Sequence, residues 1–357
     1  MRLSKVLLLL AVAGMSGLLS CRSVPPQPLS AEVAADSAGA NATMLHRAAQ
    51  FRQYIAKHGA ATGVVLDAKC QGFYAGKSEK LAARCKLLGI TEAYIAIPDP
   101  EKLADQKALM RKLLYELHRA GVKCYASLEL NYLYRYNRDV SLNPFSGSPA
   151  ARAIAPALSF NCAWGTTAED CFDGVEGVLL PTRETADKVG RSASLYNWGE
   201  KQYGRDGENN IMVRQTLEFM RQIREDSGKL AIIQNVDQDF NDKTCGGKLS
   251  GAGVNNFLEF CDAVIVNDVG NDDGAIGEKI ATELHNASLK DSVAVRILTP
   301  HDFYSEAAMA NSFSRKPWLE MVKSLHGVCR EANKQPAFRG LVFDDFTGLE
   351  ALWERTR

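Results

Sequence analysis

The chain has 357 residues, with 42 basic and 42 acidic side chains and a formal net charge of zero. That balance excludes the cationic footprint by which nucleic acid or an anionic membrane face is bound. Its nine cysteines are too many to pass over and too badly spaced for zinc, since there is no C-x-x-C and no His pair at ligand spacing.

The N-terminus carries Arg2 and Lys5 and then the apolar run Val6 to Leu19, the charged-then-apolar order of a secretory signal. The run is shorter than the roughly 20 apolar residues that a permanent spanning helix needs. It ends in Leu18-Leu19-Ser20-Cys21, which resembles the lipobox of bacterial lipoproteins. The resemblance implies cleavage before Cys21, a lipid on that cysteine, and attachment to the cell envelope. With Arg22 and no aspartate next, it also implies outer-membrane sorting, as in enteric bacteria. Residues 1–20 are thus expected to be signal and residues 21–43 a flexible tether. Arg22 to Ala42 is Ser-, Pro- and Ala-rich, with too little apolar surface to offset its ordering entropy. Residues 44–357 are expected to form one folded domain.

Along that body, short β-branched or apolar runs alternate with amphipathic segments. The strand-like runs are Gly63–Asp67, Ala93–Pro98, Lys123–Leu130, Gly174–Leu180, Leu230–Val236, Ala263–Asn267, Val293–Leu298 and Gly340–Phe343. Helical periodicity is clearest over Lys102–Ala120, Ile211–Ser227, Ala275–Asn286 and Trp318–Ala332, with a short last helix over Leu349–Arg355. Eight such units predict a (β/α)₈ barrel of the TIM type. An open doubly wound sheet would want a glycine-rich phosphate turn after its first strand, where Asp67-Ala68-Lys69-Cys70 stands instead. Beyond Cys21 the even number of cysteines, in an oxidising compartment, favours disulfides. Cys162 and Cys171, in one loop, are the expected pair, while Cys85 and Cys124 read equally well as buried apolar residues.

Barrel chemistry sits at the C-terminal ends of the strands, and those ends are acidic: Asp67, Asp99, Glu129, Glu184, Asp237, Asp239, Asp268 and Asp344-Asp345. Each also has a plain reading as a turn former or helix cap. Three positions rise above it. Glu129 stands inside an apolar run, Asp237 follows the polar strand end Gln234-Asn235, and alternation sends one of Asp344 and Asp345 toward the barrel axis. Asp237 is expected as base or nucleophile and Glu129 as general acid, the pair of carboxyls that glycosidic hydrolysis uses. Asp67 and Asp344-Asp345 would orient sugar hydroxyls. Tyr132, Trp164 and Trp198 offer ring faces to a sugar, Arg183 a bidentate grip on an anion, and Asp268 and His301 further polar contacts, although loop packing explains the aromatics as readily.

With strand ends such as Phe343-Asp344-Asp345-Phe346, the chain resembles bacterial glycoside-hydrolase-type barrels carried on lipoprotein signals. The resemblance covers about Thr62 to Trp353 at the level of pattern. It implies a glycan as substrate or ligand and no cofactor. The chain departs from the best-known hydrolase barrels after the seventh strand, where Thr299 and His301 replace a glutamate. It also lacks the chitinase-like D-x-x-D-x-D-x-E signature around Asp173-Gly174-Val175-Glu176-Gly177. A non-catalytic glycan-binding or envelope-structural lipoprotein is therefore carried as the alternative. An EF-hand is excluded at Asp237-Gln238-Asp239, because Asp242 replaces the required glycine. No G-x-S-x-G is present to support a serine nucleophile.

Overall fold

The computed structural model describes residues 28–55, 58–97, 100–127, 171–177, 231–237, 253–259, 261–267, 270–299 and 306–355. The eight strands are β1 (Ala61–Leu66), β2 (Glu92–Ala96), β3 (Lys123–Ser127), β4 (Gly174–Glu176), β5 (Ala231–Asp237), β6 (Ala263–Asn267), β7 (Val293–Ile297) and β8 (Phe338–Phe343). They pair in sequence order, every pair parallel, and β1 closes on β8 to complete a barrel. The fold is the (β/α)₈ barrel expected from the alternation. Apart from the three-residue β4, the strands carry apolar residues on both faces, because one face meets the barrel interior and the other meets the helices.

Helices α1 (Ala31–Ala38) and α2 (Ala42–Tyr54) precede the barrel, α3 (Ala68–Phe73) and α4 (Ser78–Leu88) follow β1, and α5 (Pro100–Arg119) follows β2. Further on come α6 (Gly253–Leu258), α7 (Asp273–Asn286), α8 (Glu306–Asn311), α9 (Trp318–Ala332) and α10 (Phe346–Glu354). In α9 the buried residues Met321, Val322, Leu325, Val328, Cys329 and Ala332 recur at threes and fours, one stripe turned to the core. Each large apolar side chain fully buried in this way contributes about 1.5–3 kcal/mol. No helix among the described residues is long and apolar enough to cross a membrane.

The expected tether is corrected in its second half. Ser30 caps α1 through its side chain, Gly39 ends the helix in the left-handed region, and Ala34 and Ala38 are fully buried. Arg84 of α4 donates from Nε to the Ala38 carbonyl at 3.1 Å, and the Leu29 amide donates to the Arg119 carbonyl at 3.0 Å. Small side chains let α1 approach α4 closely, so little apolar surface per residue is enough to dock it. The folded body therefore includes residues 28–43, and the boundary at residue 44 moves toward the N-terminus.

The last helix seals the closure. Trp353 is fully buried, its Nε1 donates to the Met44 carbonyl at 2.8 Å, and Arg47 of α2 donates to the Trp353 carbonyl at 2.7 Å. Beside it Arg84 pairs with Glu350, and with Glu354 at 2.7 Å. Cys70, Cys85, Cys124 and Cys329 are buried free thiols, and burial raises the pKa of each. These four thus take the buried-apolar reading rather than the disulfide one. Cys162, half of the expected pair, lies outside the described residues, as do Cys21 and the expected helix Ile211–Ser227.

Candidate functional site

Alternation along the strands sends Tyr94, Tyr125, Ile233, Ile265, Ala294 and Val342 into the barrel, where they form an apolar belt. Tyr94 and Tyr125 stack there with ring centroids 5.3 Å apart. Gly63 makes room for them, since a Cβ at that position would meet Tyr94 at 2.7 Å. Below the belt, at the N-terminal ends of the strands, Glu92 pairs with Arg339 and accepts from the Tyr94 hydroxyl at 2.7 Å. Arg339 also donates to the Tyr125 hydroxyl at 3.3 Å. Burial raises the pKa of both phenols.

Above the belt the same alternation delivers Ser127, Glu176, Asn235, Asn267 and Arg296 to the C-terminal mouth. Glu176, at the end of β4, is 1% exposed. One of its oxygens accepts from Ser127 Oγ at 2.6 Å. The other accepts from Asn235 Nδ2 and from Arg296 at 2.9 Å. Arg296 also donates to Asn235 Oδ1 at 3.1 Å, which closes the triad. Among the described residues, two buried polar atoms at this level have no hydrogen-bond partner, Arg296 Nε and Asn267 Oδ1.

Asp344 follows the last residue of β8, beside this triad. Its Oδ1 accepts from the Thr299 amide at 2.8 Å and is 2.9 Å from the Thr299 hydroxyl. Burial pushes its carboxyl up to about 6, against the opposing pull of the Thr299 donors and the Arg296 charge. A carboxyl that titrates near neutrality, at the end where barrels carry their chemistry, is equipped to give and take a proton. Among the described residues no three His, Cys, Asp or Glu side chains converge as a metal site.

The expected site residues divide into three groups. Asp344 faces the mouth. Asp345 instead caps α10, accepting from the Thr347 and Gly348 amides at 2.9 Å each, and Asp67 caps α3, accepting from the Cys70 amide at 2.7 Å. For these two the structure shows the cap reading, because a strand that runs straight into a helix puts its next acid over the orphan amides of the first turn. Asp237 ends β5 in register with Asn267, and its side chain lies outside the described part. Glu129, Tyr132, Trp164, Arg183, Trp198, Asp268 and His301 also lie outside the described residues.

Glu176, Arg296 and Thr299 are not among the expected site residues. Glu176 was legible as a charged residue within the expected strand Gly174–Leu180, one pleat above Gly174, and Arg296 as the one cation inside Val-Ala-Val-Arg-Ile-Leu. A charge inside a strand buried on both faces needs a partner there, and each supplies the other's.

The barrel is thus defined as a class by its own topology. In overall shape the chain is similar to a GH18 chitinase from Pseudoalteromonas aurantia, at 11% identity over 82% of this chain and 97% of that one, with a TM-score of 0.47. The Legionella pneumophila ChiA C-terminal domain gives 10% identity over 82% and 96%, with a TM-score of 0.47. A GH10 endoxylanase from a sugarcane soil metagenome gives 10% over 83% and 88%, with a TM-score of 0.44. No family model matches the chain, and no curated protein matches it. A shared barrel hosts many unrelated activities, so function is argued from the site.

Proposed function

We propose that the chain is a glycoside hydrolase acting on extracellular or envelope glycans by carboxylate acid/base catalysis. The observation that carries this reading is Asp344, a buried carboxyl at the barrel mouth whose proton affinity is lifted to about 6. Such a group is protonated often enough near neutral pH to act on a leaving-group oxygen, and it ionises readily enough to be recycled. Glycosidic hydrolysis needs a second carboxyl across the cleft. Asp237, at the end of β5, and Glu129, after β3, are the acids that the sequence offers for it. Glu176 is less suited, because its charge is engaged by Arg296.

The purified domain, from Pro28 onward, screened against polysaccharides and aryl glycosides should show turnover. Asp344→Asn should lower the rate by a factor on the order of 10² to 10⁴, the usual worth of a positioned acid or base. Asp237→Asn and Glu129→Gln run alongside identify its partner. Near-normal turnover in Asp344→Asn would remove Asp344 from the chemistry.

A second reading, a glycan-binding barrel without catalysis, is favoured by the closed Glu176–Arg296–Asn235 triad, in which the Glu176 carboxylate is engaged by Arg296, Asn235 and Ser127 rather than free as a nucleophile. Saturable glycan binding without turnover in the same screen would select it. In either case we place the protein in the bacterial envelope through a lipid on Cys21. Intact-mass analysis of the membrane-extracted chain should show an acylated N-terminus, and a soluble product with unmodified Cys21 would overturn that placement.

A further inference from the structure

We infer that Thr299 is a positioning residue for Asp344, assigning Oδ1 as the fixed acceptor and leaving Oδ2 as the oxygen that takes up and releases the proton. The inference deepens the acid/base role given to Asp344 and rests on that reading for its functional meaning, though not for its test.

The argument is one of counting protons. The Thr299 hydroxyl lies 2.9 Å from Asp344 Oδ1 and 3.0 Å from the Asp345 carbonyl oxygen, and it has one hydrogen to give. The Asp345 carbonyl already accepts the Leu349 amide at 3.1 Å in the first turn of α10. It therefore remains satisfied when the hydroxyl turns away. Asp344 Oδ1 also receives the Thr299 amide at 2.8 Å, a donor that cannot turn away.

When Asp344 is ionised, amide and hydroxyl both point at Oδ1, and its negative charge is held by two donors from one residue. Proton uptake at Oδ1 would set the incoming hydrogen against that fixed amide, so uptake falls to Oδ2, which no donor among the described residues reaches. As the charge disappears, the Asp345 carbonyl becomes the better acceptor and the hydroxyl turns to it. Thr299 is fully buried, so water does not substitute for its hydroxyl. The charged groups acting on Asp344 from its surroundings are Arg296 on β7 and Asp345 beside it. Neither touches Oδ1. On the β1 side, Asp67 is turned to its cap on α3.

The test follows the Asp344 carboxyl by ¹³C NMR across pH, with Asp344→Asn used to assign the signal. Thr299→Val keeps the shape and the amide but removes the hydroxyl. It should raise the ionisation midpoint by about one unit, the effect of losing one hydrogen bond to the charged form. Thr299→Ser should restore the midpoint to within a few tenths of a unit. An unchanged midpoint in a folded Thr299→Val protein overturns the inference. Should the valine variant not fold, the wild-type Thr299 amide proton decides the matter. It must shift with the same midpoint as the Asp344 carboxyl, and an amide signal that ignores that titration overturns the inference equally. Because neither readout needs a substrate, a shifted midpoint without turnover on any glycan keeps the role of Thr299 and defeats the hydrolase reading. An unshifted midpoint with turnover does the reverse.

Discussion

At the N-terminal end of the barrel Glu92 is surrounded by Arg339 and the phenols of Tyr94 and Tyr125, and the further acid there, Asp173, is held by His118 and the Cys124 amide. At the C-terminal end Glu176 is tied just as firmly to Arg296, Asn235 and Ser127, but Asp344 stands beside that triad with its proton affinity raised and one oxygen that no donor among the described residues reaches. The apolar belt between the two ends is shared. The difference shows how one scaffold separates tasks: each end holds an ion pair on a buried glutamate, and among the described residues it is the mouth that adds a carboxyl whose charge is left partly uncompensated. A buried pair is costly to break because removing one partner strands the other. A lone buried acid destabilises the fold while it stays charged, a cost commonly found at functional sites.

Breaking either ion pair should have the largest effect on stability. Glu92→Ala leaves the largely buried Arg339 without its carboxylate and the buried Tyr94 hydroxyl without its acceptor, and should lower unfolding free energy by about 3–5 kcal/mol. Urea titration measures the loss, and any turnover per folded molecule should be unchanged. A fall in turnover without a fall in stability would mean that the plug at this end is not merely structural.

Glu176→Ala should cost a comparable amount, about 3 kcal/mol, because the arginine it strands is about as exposed, 19% for Arg296 against 17% for Arg339. It should also do what the first substitution cannot. With Glu176 gone, the positive field of Arg296 acts on Asp344 with less competition, so the Asp344 midpoint should drop below its value of about 6. A midpoint that stays in place would show the two halves of the mouth to be electrically independent.

Asp344→Asn should separate activity from stability. The folded carboxyl titrates at about 6 and the unfolded one near 3.8. Below the lower value both states hold the proton, and above it the unfolded chain releases its proton first. Stability contributed by the neutral acid is therefore complete below about pH 4 and lost as pH rises through about 6. The asparagine variant lacks that loss. At pH 7 it should be more stable than wild type by up to about 3 kcal/mol, and at pH 3.5 the two should coincide. Thermal unfolding at both pH values checks the sign, and a variant less stable than wild type at pH 7 would contradict it.

Much of the scaffold was legible because burial on both faces writes near-continuous apolar runs. Ala263–Asn267 and Trp318–Ala332 match β6 and α9 residue for residue. What escaped did so for physical reasons. Helix α1 docks through Ala34 and Ala38, whose small side chains give close packing without a hydrophobic signal, so its composition read as a tether. Glu176 belongs to no longer acidic signature, and simple alternation from Gly174 is the one signal that aims it inward. Asp344 and Asp345 were legible as a pair in which one faces the axis. Which of the two depended on the register of β8, where a bulge opposite Val293/Ala294 and the positive φ of Gly340 set the phase.

The smallest effect is expected at Asp67, and it separates the two readings of a strand-end acid. Its carboxylate accepts the Cys70 amide at 2.7 Å, which satisfies one of the orphan donors of the short helix α3. Serine caps nearly as well as aspartate, so Asp67→Ser should change stability by no more than about 0.5 kcal/mol, while Asp67→Ala should cost about 1 kcal/mol. Both variants should leave turnover intact when the acid is only a cap. The alternative, that Asp67 orients a sugar hydroxyl, predicts a different pattern. Serine is shorter and uncharged, so it would preserve stability yet raise KM several-fold. Chemical denaturation and substrate titration on the same two proteins therefore distinguish a residue that holds α3 in place from one that touches the glycan.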